Sequence, residues 1–262
     1  MSVRSGGLLG LGVLAALGAG CRVSLSAPLP GRPPPPRALA VERERVGRSV
    51  EGRVIEAVTM GEGPLTVLVL ASIHGNESAG TWIVRELVER LEDQPAWLDG
   101  RRLVAVPVAN PDGVAARTRH NARGVDLNRD FPAGNQRRAG EAPTEPESRA
   151  LLELIERFRP DRIVAFHQAA NRLDYDGPAR ELAEAMAVAC PLAVSRMGAR
   201  PGSLGSWAGV DLGIPVVTVE LPREADDQLP SRRWELYGEM LLVALRFPEP
   251  WPTVAGGAAT TP

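Results

Sequence analysis

The sequence predicts a single α/β domain: one mixed, mostly parallel sheet with helices on both faces. Three observations carry this. Short apolar runs at 65–70, 103–108, 163–166 and 216–219 read as strands buried on both faces. Segments with helical periodicity lie between them, the alternation of an α/β fold. Three of the runs lead into acids or histidines: His74 with Glu77, then His167, then Glu220. Open α/β sheets bind ligands beyond the carboxyl ends of their strands.

Composition bounds the rest. A chain of 262 residues suffices for one such domain plus appendages. A net charge of −2 and a pI near 6.0 argue against a nucleic-acid binder, which would be basic. Two Cys make no disulfide framework, so the fold rests on its core.

The first residues read as an export signal. Arg4 precedes a small, apolar stretch from Gly6 to Gly20. Leu17-Gly18-Ala19-Gly20-Cys21 then resembles the bacterial lipobox, with Leu one place further from the Cys than usual. The stretch is short for a transmembrane helix, which needs ~20 apolar residues. Residues 1–21 are therefore expected to be a signal peptide with lipidation at Cys21. An ordinary cleaved signal and an uncleaved anchor stay open. The expected location is periplasmic, as a membrane-anchored lipoprotein. Residues 22–48 read as a linker, in which Pro33–Pro36 forms a semi-rigid spacer. The folded domain is expected over 49–247 and a disordered tail over 248–262.

The elements follow in order. Val50–Met60 alternates loosely, as an edge strand does. Leu65–Ser72 is a central strand. Glu77–Leu91 carries Ala79, Ile83, Leu87 and Leu91 at i, i+4 spacing, the stripe of an amphipathic helix. Leu103–Val108 is the next strand. Asn110–Gln136 is a polar loop with Gly and Pro, and loops that long are usually functional. Thr144-x-x-Glu147 reads as a capping box opening a helix through Phe158. Ile163–Phe166 is a strand ending at His167. Pro178–Cys190 fits a helix with Pro in its first turn. Val216–Val219 is a strand ending at Glu220, and Ser231–Phe247 is the last helix.

A neutral imidazole and a carboxylate in one strand-to-helix turn can hold zinc, given a third ligand from elsewhere. His74-x-x-Glu77 alone is equally a polar turn. Only three His exist, however, and two lie at strand ends. With Glu77 and Glu220 in the same sheet, a metal site becomes the better reading.

The long loop then supplies Asn110-Pro111-Asp112-Gly113 and Arg119-His120-Asn121-Ala122-Arg123-Gly124-Val125-Asp126-Leu127-Asn128-Arg129-Asp130-Phe131. With these motifs the chain resembles the metallocarboxypeptidase superfamily typified by carboxypeptidase A. Leu173-Asp174-Tyr175-Asp176-Gly177-Pro178 and Pro201-Gly202-Ser203-Leu204-Gly205-Ser206-Trp207 resemble its murein peptide amidase branch. The resemblance runs from about Val50 to Phe247. It implies one zinc ion held by His74, Glu77 and His167, with Glu220 as general base. It implies Arg119 as the group that polarises the scissile carbonyl. Asn128 and Arg129 match the pair that grips the substrate's terminal carboxylate. Asp126 matches the acid that orients the first zinc histidine.

One departure stands out. Carboxypeptidase A relatives cover the substrate with a tyrosine shortly before the general base. No Tyr lies between Asp176 and Glu220, which leaves Tyr175 as the expected substrate contact. The resemblance implies cleavage of the bond between γ-D-glutamate and diaminopimelate in cell-wall peptides. Three alternatives stay open: a carboxypeptidase on other peptides, an acylamino-acid deacylase of the succinylglutamate desuccinylase or aspartoacylase kind, and a non-catalytic peptidoglycan-binding lipoprotein.

Overall fold

The structure, a computed structural model, describes residues 39–135 and 140–249. The export signal, Cys21, the proline run and the tail beyond residue 249 lie outside the described residues. Among those described, no helix is long and apolar enough to cross a membrane.

Among the described residues, eight strands form one sheet. They are β1 (Val41–Arg48), β2 (Val54–Met60), β3 (Thr66–Leu70), β4 (Arg102–Val106), β5 (Arg162–Gln168), β6 (Arg172–Asp176), β7 (Ala193–Val194) and β8 (Val216–Leu221), in the order β1-β2-β4-β3-β5-β8-β6-β7. The four pairs β3/β4, β3/β5, β5/β8 and β6/β7 are parallel; β1/β2, β2/β4 and β6/β8 are antiparallel. The sheet is thus mixed, as expected, with a parallel centre.

Five α-helices among the described residues cover it: α1 (Ala79–Asp93), α2 (Pro111–Ala116), α3 (Pro146–Phe158), α4 (Arg180–Ala187) and α5 (Pro230–Arg246). Strand alternation sorts the core into two layers. Val67, Val69, Val164 and Val217 pack with Ile83 and Leu87 of α1, Leu182 of α4 and Leu241 of α5. Leu68, Leu70, Ile163 and Ala165 pack on the opposite face, with Leu151 and Ile155 of α3 and with Leu127 and Phe131 of the long loop. Every residue of β3 is buried, which explains its continuous apolar run.

Several expectations are corrected. The linker does not extend to residue 48, because Val41–Arg48 is strand β1, paired along β2. Its sequence is mostly charged and its residues half-exposed, as suits an edge. The strand expected from Val50 begins at Val54, since Ser49–Arg53 is a tight turn closed by Ser49 N–H to Arg53 O, 2.8 Å. The tail boundary also moves: Glu249 still pairs with Arg101 at 2.8 Å. The capping box is absent. Thr144 N and Oγ1 both donate to Asp130, at 3.0 and 2.8 Å. Glu147 is fully buried and accepts from Val50 N, 3.1 Å. Helix α3 instead opens on Pro146.

The long loop is anchored rather than free. Asn110 caps α2, accepting from Gly113 N at 2.9 Å, and its amide donates to Ile73 O at 3.2 Å. Gly75 and Gly113 meet so closely that a Cβ on Gly75 would lie 1.9 Å from the Gly113 carbonyl carbon. Only glycine allows that approach. It fixes the turn that carries His74 against the loop that carries Arg119 and Asp126.

Candidate active site

The turn after β3 delivers two side chains, and the end of β5 delivers a third. His74 Nδ1 and His167 Nδ1 each lie 2.9 Å from Glu77 Oε2, and 3.1 Å from each other. All three side chains are buried. Helix α1 starts at Ala79 rather than Glu77, because Glu77 turns inward to meet the histidines.

Proton bookkeeping identifies what this triangle fits. Asp126 Oδ1 lies 3.0 Å from the far nitrogen of His74, Nε2. Asp126 is held well below the usual carboxylate range: burial opposes ionisation, but the His74 hydrogen bond and the charges of His74, Arg119 and Arg129 outweigh it. Burial lowers the His74 pKa, yet the hydrogen bonds to Asp126 and Glu77 raise it overall. An ionised Asp126 holds the Nε2 proton, so the Nδ1 proton is the one a bound cation would replace. Glu77 is likewise ionised. Burial raises it, yet the hydrogen bonds to His167 and His74 hold it at about 2. His74 Nδ1, His167 Nδ1 and Glu77 Oε2 therefore converge on one point, where a cation can take the place of the protons that the two Nδ1 atoms share with Glu77. Tetrahedral zinc with ligands at about 2.0–2.2 Å places them ~3.3 Å apart, close to the spacings seen. His74, Glu77 and His167 form a group that can hold one metal ion.

The site residues expected from sequence, apart from one, join this group. Arg119 donates to Glu77 Oε1 at 3.2 Å and to Asp126 Oδ2 at 3.0–3.1 Å. Asn128 N donates to Asp126 Oδ1 at 3.0 Å, and Asn128 Oδ1 accepts from Leu204 N at 2.9 Å. Arg129 donates to the Asn128 carbonyl. Burial lowers the Arg129 pKa; Asp126 opposes this, and the like charges of Arg119 and Arg200 add to it. Glu220 stands beside His167 in the β5/β8 register and accepts from Ala170 N at 3.4 Å. Arg119, Asn128, Arg129 and Glu220 all line one cleft with the His74–Glu77–His167 group.

Tyr175 is the exception, and its expected substrate contact is corrected. Strand side chains alternate between faces. Asp174 and Asp176 line the cleft, whereas Tyr175 packs into the opposite core layer. The sequence reading also missed Arg200, Asp174 and Asp176 as cleft residues. The two acids had a usable signal: an Asp-x-Asp pair in a strand must share a face.

Fold and site define a metal-dependent hydrolase. The zinc carboxypeptidase family profile matches residues 38–178. Murein peptide amidase A of Escherichia coli (strain K12) is 34% identical over 183 residues, spanning 62% of this chain and 73% of that one. Murein peptide amidase A of Vibrio campbellii is 32% identical over 177 residues, 59% and 68% of the two chains. A solved structure of murein-tripeptide amidase from Escherichia coli O157 matches with a TM-score of 0.63 at 28% identity, over 82% of this chain and 94% of that one. The chain belongs to the zinc carboxypeptidase family, and its metal is zinc.

Proposed function

We propose that this enzyme hydrolyses the amide bond between γ-D-glutamate and meso-diaminopimelate in murein peptides. The observation that carries the reading is the convergence of three ligand atoms in one cleft with Glu220, Arg129 and Arg200. The similarity to murein peptide amidases supports the choice of bond.

Zinc, held by His74, Glu77 and His167, supplies Lewis acidity that polarises a carbonyl and brings the pKa of water towards ~7. Glu220 takes the proton from the attacking water and returns it to the leaving amine as the C–N bond breaks. Arg119 donates to the oxygen that gains charge in the tetrahedral intermediate. Glu77 and Asp126 hold the Arg119 guanidinium at the cleft, so it needs no large reorganisation. Asp126 fixes the His74 tautomer, and Leu204 N orients the Asn128 amide. Asn128 and the planar fork of Arg129 grip the terminal carboxylate of the substrate.

Arg129 and Arg200 repel each other until an anion joins them, which favours a carboxylate-bearing substrate. Removing one partner of a desolvated charge pair costs roughly 2–5 kcal/mol. Arg129→Ala should therefore weaken use of the murein tripeptide by about 10²-fold, and amidation of the terminal carboxylate should impair the parent enzyme similarly. Steady-state kinetics on both pairs checks this; unchanged KM in each would refute carboxylate capture by Arg129.

The leader and Cys21 support an extracytoplasmic location, with a lipid on Cys21 and the proline run as spacer. Expressed in a bacterial host, the full chain should partition to membranes and its Cys21→Ala form should not. Identical partitioning would contradict the anchor.

A further inference from the structure

We propose that Asp174 and Asp176 form an ammonium-binding floor to the cleft, which selects a substrate residue whose side chain carries a primary ammonium. The inference rests on the hydrolase reading of this site and names the group that its deep end recognises.

The register gives the depth. Strand β6 runs antiparallel to β8, with Arg172 opposite Glu220, Asp174 opposite Thr218 and Asp176 opposite Val216. Two residues advance a strand by ~6.8 Å. The two acids therefore occupy successive rows on the face of Glu220, stepping away from it down the cleft. A long, extended side chain on the leaving amine would run along these rows.

Both acids are buried, at 5% exposure each. Asp174 Oδ1 accepts from Met197 N at 2.7 Å. Asp176 Oδ1 is buried with no hydrogen-bond partner. Arg196 lies near enough to act on Asp176, but its guanidinium sits over the Tyr175 ring, 5.6 Å from the centroid. The backbone of the π-helical turn Gly205–Asp211 closes over Asp176. A Cβ on Gly205 would fall 2.0 Å from Asp176 Oδ2, and one on Gly209 would fall 2.7 Å from the Asp176 Cβ. The sequence thus keeps side chains away from this carboxylate. Burial, with Asp174 as a like-charged neighbour, pushes Asp176 up to about 6.

A buried acceptor without a donor costs free energy, and native proteins keep few of them. An ammonium brings three donors and a compensating charge. It would satisfy the free oxygen of Asp176 and offset one of the pair's two charges. Arg119, Arg129 and Arg200 supply the opposite charge in the same cleft. The cleft is therefore bipolar: cations for carboxylates, and acids for the ammonium of the side chain. An apolar side chain of equal length would leave Asp176 buried and unpaired, and sites of that kind discriminate strongly.

The test uses the full, zinc-loaded protein and three substrates: the murein tripeptide and two analogues with lysine or norleucine in place of diaminopimelate. The unmodified enzyme should prefer lysine over norleucine by ~10²-fold in kcat/KM. Asp176→Asn should bring that ratio close to one. The variant should also melt no lower than its parent at pH 8, because the carboxylate it replaces has no hydrogen-bond partner at Oδ1 and faces the like charge of Asp174. A ratio near one in the parent, or a ratio that survives Asp176→Asn, would overturn the inference. So would a variant that melts well below the parent, since that marks a structural acid. Cleavage of the tripeptide with no lysine preference defeats this inference alone. Failure to cleave any of the three defeats the reading of the site, and this inference with it.

Discussion

Glu220→Gln should lower kcat/KM on the murein tripeptide by at least ~10²–10⁴-fold, the range of general-base contributions. Zinc content and melting temperature should stay at their parent values. The reasons are local. Glu220 is half-buried at the end of β8, and the hydrogen bond it accepts from Ala170 N is long, at 3.4 Å. An amide of the same shape gives up little structure there. It cannot take a proton from water, so the loss falls on the chemical step. Activity within a few-fold of the parent would remove Glu220 from the mechanism.

His167→Ala should reduce bound zinc from one ion per chain to near none and abolish activity with it. Three protein ligands make a catalytic zinc site with an open position. Two leave Glu77 and His74 to hold the ion alone. A chelator should do the same to the parent, and added zinc should restore the parent but not the variant. The imidazole is buried, so the substitution also leaves a cavity. The fair stability comparison is therefore with the metal-free parent. Acid should release the metal as well, because zinc ligands must be deprotonated to bind. Undiminished, stoichiometric zinc in His167→Ala would contradict the ligand assignment.

The parts of this molecule that were legible in the sequence share one property: their environment is uniform along the segment. Strands β3, β4 and β5 are buried on both faces almost throughout, and β8 opens only at Thr218 and Glu220, so their runs are apolar and unambiguous. The metal-binding side chains were legible because they interrupt such runs at their ends. Strand β1 was not, because an edge strand with exposed faces needs charge rather than apolar residues. Strand β6 reads Arg-Leu-Asp-Tyr-Asp, which looks like a loop until its polar positions are seen to face a cleft. Thr144 misled for a different reason. Its spacing to Glu147 suits a cap, but Asp130, fourteen residues earlier in the chain, claims its hydroxyl. Tyr175 was placed by its nearness to the motif, whereas strand parity turned it to the other side. Contacts between residues distant in sequence decided each of these cases, and local pattern carries no record of them.

The most direct test of the account is to incubate the zinc-loaded enzyme with murein tripeptide in ¹⁸O-enriched water and weigh the products. Hydrolysis at the proposed bond predicts free, unlabelled diaminopimelate and a dipeptide with one ¹⁸O in its newly released γ-carboxylate. Ordinary L-peptides and N-acyl amino acids should be cleaved more slowly. An intact tripeptide, a break at any other bond, or faster cleavage of either control would contradict the account.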